Sequence, residues 1–413
     1  MKERRNQRKM EERLHKEQKN QDQIGKEKIW TRDFIFILFA NFFIFLGFQM
    51  TLPTIPLFVE KLGGNDQLIG FVVGIFTFSA LLLRPFAGHA LESRGRGFVY
   101  IFGLTIFVLS VGSYAFAMSI LFLFVMRVVQ GVGWGYSTTA SGTIATDLIP
   151  PKRRGEGMGF FGLSGNIAMA FGPALGLILT SKLSFPVFFF ICAGCGLVSL
   201  ILASQIKYKK AEKKPSKSEH RRFDFYEKTA LQPSFLLFFI TTTFGGIASF
   251  LPLYTAEKHI AGIQWYFLLY AIGVLITRMF AGKIYDKRGH QAVVIPGEIM
   301  ILAAMILLAW LPNSTILFLA AILYGLGFGS VQPALQAWAV DQAPMNRKGM
   351  ANATFFSFFD LGIGVGAMVF GQIAQLLGYR FIYIIASLSV LVSMILYFFL
   401  LFKNRTVRSQ GLN

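Results

Sequence analysis

The stretch Arg84-Pro-Phe-Ala-Gly-His-Ala-Leu-Glu-Ser-Arg-Gly-Arg-Gly97 joins two long apolar segments through a short charged loop. It comes back as Arg278-Met-Phe-Ala-Gly-Lys-Ile-Tyr-Asp-Lys-Arg-Gly-His-Gln291, 194 positions later. Both copies open on Arg-x-Phe-Ala-Gly, place a carboxylate four residues after that glycine (Glu92, Asp286) and carry an Arg-Gly pair. The same offset takes Gly131, Gly133 and Gly135 onto Gly325, Gly327 and Gly329, Asp147 onto Asp341, Pro150 onto Pro344 and Gly155 onto Gly349. Since no gap is needed from Arg84 to Gly172, the chain reads as two related halves rather than as scattered glycines.

The segments around the repeat belong to a bilayer. Hydrophobic residues make up 54% of the 413 and charged residues only 15%, with 45 Phe, which argues against a soluble domain. A hydrocarbon core about 30 Å thick takes roughly 20 apolar residues of helix, and such stretches recur with short polar breaks. The weak alternation of a transmembrane barrel is missing, so the spans read as helices. Twelve are expected, over 34–58, 68–88, 97–117, 119–143, 157–181, 184–204, 234–256, 262–282, 292–311, 314–338, 350–377 and 380–402.

A net charge of +19 would suggest nucleic acid on a folded surface, but Lys and Arg sit in the tails and alternate loops, which is topology. By the positive-inside rule both termini are expected in the cytoplasm, consistent with an even number of spans. The expected organisation is a basic tail (1–32), a six-helix bundle (33–204), a basic cytoplasmic linker (205–230), a second six-helix bundle (231–402) and a short tail (403–413). Equal orientation of the halves makes them parallel repeats about an axis along the membrane normal. The charged first 32 residues show no signal peptide, which suits a multi-pass protein of a bacterial inner membrane. Cys192 and Cys195, a Cys-x-x-Cys inside an apolar helix, are read as packing groups.

On these residues the chain resembles the major facilitator superfamily, from residue 33 to 402. The loop formed by Gly88, Glu92, Arg94, Gly95 and Arg96, with its echo Gly282, Asp286, Lys287, Arg288 and Gly289, looks like the family's loop signature. The resemblance implies that these residues, with Asp147 and Asp341, lock the cytoplasmic ends of neighbouring helices by charge pairs. Glu92 stands where an aspartate is usual and Ser93 where a basic residue is usual. Arg127-Val-Val-Gln-Gly-Val-Gly is similar to the family's membrane-embedded arginine motif. A guanidinium inside a span costs about 2.5 to 3.5 kcal/mol on insertion scales, so Arg127 is expected to face a wet cavity or a paired acid, the alternative being an arginine that snorkels outward. Gly159, Gly172, Pro173 and Gly176 resemble the antiporter signature of proton-driven drug exporters, although Ala168 and Leu177 replace usual glycines. They imply a bent, close-packed contact between the halves. Leu52-Pro-Thr-Ile-Pro is compatible with the same exporters.

Proton coupling needs a carboxylate within the membrane, and few exist. Asp360 lies mid-span and takes the place of Asn166 in the repeat; Glu298 lies in span nine. Both are candidates with Arg127, against structural hydrogen bonding. Candidate cavity groups are Asn41, Gln49, Asn166, Tyr254, Gln332, Gln336 and Trp338, each alternatively a satisfied interhelical contact. Arg84 and Arg278 are read as structural. No Walker loop or metal motif appears, and Gly157-Met-Gly-Phe-Phe-Gly follows no strand, so no cofactor beyond the proton gradient is called for. The expected fold is all-α and polytopic, with twelve transmembrane helices in two pseudo-symmetric bundles. The expected function is proton-coupled efflux of small amphipathic, cationic or drug-like compounds by a monomer that contacts its substrate, protons and lipid but no nucleic acid. A proton-coupled uptake symporter for a sugar or metabolite is the alternative, and a membrane enzyme or receptor is a distant third.

Overall fold

The computed structural model describes residues 29–150, 153–208, 226–344 and 347–410, apart from some side chains within the helices. Among the described residues, twelve helices are long and apolar enough to cross a membrane. Span one is Arg32–Thr51, continued after a break by Thr54–Lys61. Spans two to six are Asp66–Ser93, Arg96–Ser113, Ile120–Leu148, Arg154–Lys182 and Phe185–Ser204. Spans seven to twelve are Leu231–Glu257, Ile263–Arg288, Gln291–Ala309, Ser314–Asp341, Lys348–Leu377 and Tyr379–Gln410.

Local chemistry sets several of these ends. Thr31, Asn65, Ser119 and Asn313 cap the starts of spans one, two, four and ten, each side chain accepting a backbone N–H three residues on. Ser119 and Asn313 are counterparts in the repeat, so the cap is duplicated with the fold. Sequence reading runs span one unbroken from 34 to 58, whereas the structure interrupts it at Leu52 and Pro53. Pro53 has no N–H to continue the ladder, and the Thr51 and Thr54 hydroxyls donate instead to the Phe48 and Met50 carbonyls, at 2.6 and 3.1 Å. Span seven carries Pro252 in its interior and stays continuous. Span twelve runs on to Gln410, past the expected end at 402. The expected tail over 1–28, most of the linker (209–225) and the terminal residues 411–413 lie outside the described residues.

Two seams join the halves, spans two with eleven and spans five with eight. At the end away from the linker, the first seam is tight. A Cβ on Gly70 would lie 2.5 Å from the Ala367 carbonyl oxygen, and one on Gly371 would lie 2.6 Å from that of Asp66. Only glycine lets the two backbones approach so closely. Beside them the Tyr379 hydroxyl donates to Asp66 Oδ1 at 2.7 Å, closing the far end. On the spans of the second seam, a Cβ on Gly159, Gly162 or Gly282 would meet nothing within 4 Å.

Candidate functional site

Within the first seam, Arg84 of span two and Asp360 of span eleven form an ion pair that bridges the halves, their side chains 20% and 25% exposed. Arg84, read from sequence as structural, is thus the partner of the acid that the sequence singled out. The signal was in the repeat, which makes Arg84 and Asp360 the counterparts of Arg278 and Asn166.

The second seam borders an open cavity of roughly 380 Å³, lined by Glu156, Gly159, Phe160, Leu163 and Asn166 of span five and by Arg278 of span eight. Gly159, Leu163 and Asn166 fall on one helix face by their spacing, and that face looks onto the cavity. Arg278 was not among the cavity candidates. Its Nη2 donates to Gln332 Oε1 at 3.0 Å, Gln332 Nε2 donates to Gln336 at 3.2 Å, and Gln336 Nε2 donates to Asn352 at 3.0 Å. Gln332 and Gln336 therefore support the cavity wall through Arg278.

Other candidates lie elsewhere. Asn41 donates to Ser164 Oγ at 2.9 Å, an interhelical bond between spans one and five. Gln49 is buried where span one meets Gly172. Tyr254, 2% exposed, stacks on Tyr383 of span twelve with ring centres 5.5 Å apart. Trp338 stacks on His290 at 4.4 Å and meets Tyr397 edge-on. Both aromatic groups fill the second bundle rather than line the cavity, because a large ring gains most where it is enclosed on both faces. Glu298 is buried between spans nine and twelve and accepts a 2.6 Å bond from Ser393 Oγ.

Arg127 corrects the expectation of a wet cavity or a paired acid. It is 1% exposed, and Nε donates to the Val72 carbonyl at 3.0 Å, Nη1 to Gln130 Oε1 at 2.6 Å and Nη2 to the Val73 carbonyl at 3.4 Å. Phe76 lies under the guanidinium at 4.5 Å. Helix carbonyls keep a second lone pair after their own ladder bond, so span two can hold this cation without a carboxylate. The Tyr114 hydroxyl completes the cluster on Gln130 at 2.6 Å.

The glycines of span five also need a correction. A Cβ on Gly172 would lie 2.5 Å from Gln49 Cβ, and Gly176 meets the Met50 backbone. With Gly165 they form the face opposed to span one, so Gly172, Pro173 and Gly176 shape a contact inside the first half rather than between halves. Gly159, on another face, lines the cavity.

At the linker end, Arg96 pairs with Asp147, joining spans three and four. In the second half the Tyr285 hydroxyl donates to Asp341 Oδ2 at 2.8 Å, joining spans eight and ten. Gly95 and Gly289 have φ of 90° and 75°, a left-handed region that explains the repeated Arg-Gly pair. Gly88 and Gly282 border open space, and Arg94, Asp286, Lys287 and Arg288 are exposed. The Glu92 side chain lies outside the described residues. Among the described residues, no group of His, Cys, Asp and Glu could hold a metal ion.

A sequence profile described as Major Facilitator Superfamily matches residues 37–262 and again 234–412. The staphylopine export protein of Staphylococcus aureus is 26% identical over 359 residues, 83% of this chain and 90% of that protein. The quinolone resistance protein NorA of the same species is 21% identical, over 82% of this chain and 89% of its own. In fold, the chain is similar to a bacterial homologue of the human lysosomal transporter Spinster in an inward-facing, unoccupied conformation. The TM-score is 0.70 at 16% identity, covering 91% of this chain and 97% of the other.

Proposed function

Because the chain belongs to the major facilitator superfamily, and is therefore a multi-pass membrane transporter and not an enzyme, we propose that it exports small amphipathic or drug-like compounds in exchange for protons. The two bundles rock about the central seams and expose the cavity to each side in turn. It works as a monomer in a bacterial inner membrane with both termini cytoplasmic, so that the open linker end collects substrate from the cytoplasm.

The Arg84–Asp360 pair carries this reading. It is a carboxylate inside the spans that holds one half to the other, so a proton on Asp360 would leave Arg84 uncompensated and loosen the first seam. Proton occupancy is thereby tied to the geometry that alternating access must change. Support for export comes from the relatives named for export and for quinolone resistance. Asp360→Asn should abolish dye efflux driven by a pH gradient in vesicles, with the protein still folded by its thermal midpoint. Unchanged efflux overturns the assignment of Asp360, and inward accumulation of a sugar or metabolite with the gradient would make the protein an uptake symporter.

A further inference from the structure

The repeat relates the two seams, and it shows a missing charge. At the first seam the repeat's cation and acid meet as Arg84 and Asp360. At the second, their counterparts Arg278 and Asn166 line one cavity, but the acid's place is held by an amide. A neutral amide does not balance a guanidinium.

The surroundings of Arg278 do not balance it either. Its bonded partner Gln332 is neutral, as are Gln336 and Asn352 behind it. Its buried Nε has no hydrogen-bond partner among the described residues. Glu156, the one carboxylate among the described residues of the cavity wall, has both oxygens bound by Arg153 at 2.8 to 3.0 Å. Phe160 and Leu163 make the neighbouring wall apolar. A guanidinium held beside an apolar wall without a counter-ion is an arrangement that an anion completes, and its planar fork suits carboxylate, sulfonate or phosphate oxygens.

We propose that Arg278 and Asn166 recognise an anionic group on the transported compound, which occupies at the second seam the place that Asp360 holds at the first. This rests on the transporter reading and narrows its substrate class, away from purely cationic compounds. Asn166 adds an N–H donor to the same cavity, while Phe160 and Leu163 take the apolar part of the molecule. A lipid headgroup phosphate has the same chemistry, so the test must separate the two sources.

The full-length protein is placed in phosphatidylcholine nanodiscs with Cys192→Ala, Cys195→Ala and Leu163→Cys, and the introduced thiol is labelled with neutral N-ethylmaleimide. Added naphthalene-2-sulfonate should slow labelling by about fivefold or more, and the matched naphthyl-trimethylammonium should not, since one near charge–charge contact is worth about that factor or more in a partly wet site. Arg278→Gln should abolish the protection. Asn166→Asp, which restores the repeat's missing acid, should abolish it too and serves if the arginine variant does not fold. Protection by the cation, protection by neither compound, or protection that survives both variants overturns the proposal. Slow basal labelling in phosphatidylglycerol nanodiscs, unaffected by the sulfonate, assigns the anion to lipid and overturns the substrate assignment. Because nanodiscs carry no gradient, failure of proton-coupled export would leave this result standing and is told apart by the vesicle experiment.

Discussion

The two seams are equivalents in the repeat, yet one is a latch and the other a mouth. Spans two and eleven meet backbone to backbone at Gly70 and Gly371 and are tied by Arg84 to Asp360, while Tyr379 at the start of span twelve holds Asp66 beside them. Spans five and eight part around a cavity whose wall holds Arg278 and the amide of Asn166. Duplication placed the side chains at matching positions; a single acid-to-amide difference and a few glycines made the two seams unlike.

The strongest way to break this contrast is to force the tight seam apart. Gly371→Leu would drive a side chain into the Asp66 backbone, and overpacking of a close contact costs about 1 to 3 kcal/mol or more. Transport should be lost, and thiols introduced near residue 66 should become reactive from the far side. Gly282→Leu, whose side chain enters open space, should leave the stability within about 0.5 kcal/mol of the parent. If both variants behave alike, the seams do not differ as described.

Arg127→Leu is expected to act next most strongly, and on stability rather than on coupling. It strips the charged partner from Gln130, leaves Tyr114 on a weakened cluster and removes the tie between spans two and four. Leaving buried polar groups unsatisfied costs about 1 to 3 kcal/mol, which should show as a lower melting temperature in detergent. Arg127→Leu protein that melts normally but fails in transport would return this residue to the coupling machinery.

Sequence sufficed for the spans and the duplication, because hydropathy and a gap-free offset are local signals that need no knowledge of packing; it singled out Asp360 but not the Arg84 that pairs with it. It did not suffice for orientation around each helix. Gly159 and Gly172 lie in one motif yet face different neighbours, and only the rotation of span five decides which. Arg127 misled for a related reason: a lone cation in a span implies an acid or water, but backbone carbonyls of span two are invisible in side-chain patterns. Tyr254 and Trp338 were placed at the cavity for their chemistry, and the packing of span twelve claimed them instead.

A smaller effect is expected at the far end of the tight seam. Tyr379→Phe removes the hydroxyl that donates to Asp66 while keeping the ring beside Tyr254 and Phe250. Loss of one such bond is worth about 1 kcal/mol, enough to raise opening of the far end about fivefold. Thiol labelling at that end measures it, and no change would leave the glycine packing as the whole of the latch.

The smallest effect should come from the loop motif, where the halves again differ. Arg96 pairs with Asp147, both side chains about a quarter exposed, so Arg96→Gln should lower stability by no more than about 1 kcal/mol, and by less at high salt. Its repeat counterpart is His290, which shares a 2.6 Å hydrogen bond with Tyr397 and stacks on Trp338, leaving Asp341 to Tyr285. Burial holds the His290 pKa below its ordinary 6.5. The unfolded chain therefore takes up the proton first, and the stability this ring contributes is present above about pH 6.5 and fades as pH falls below it. Melting followed from pH 7.5 to 5.5 should show that loss in the parent and in Arg96→Gln, and should show less of it in His290→Phe, which keeps an aromatic ring on Trp338. An equal loss in His290→Phe would place the acid sensitivity outside this loop and make the two copies of the motif equivalent after all.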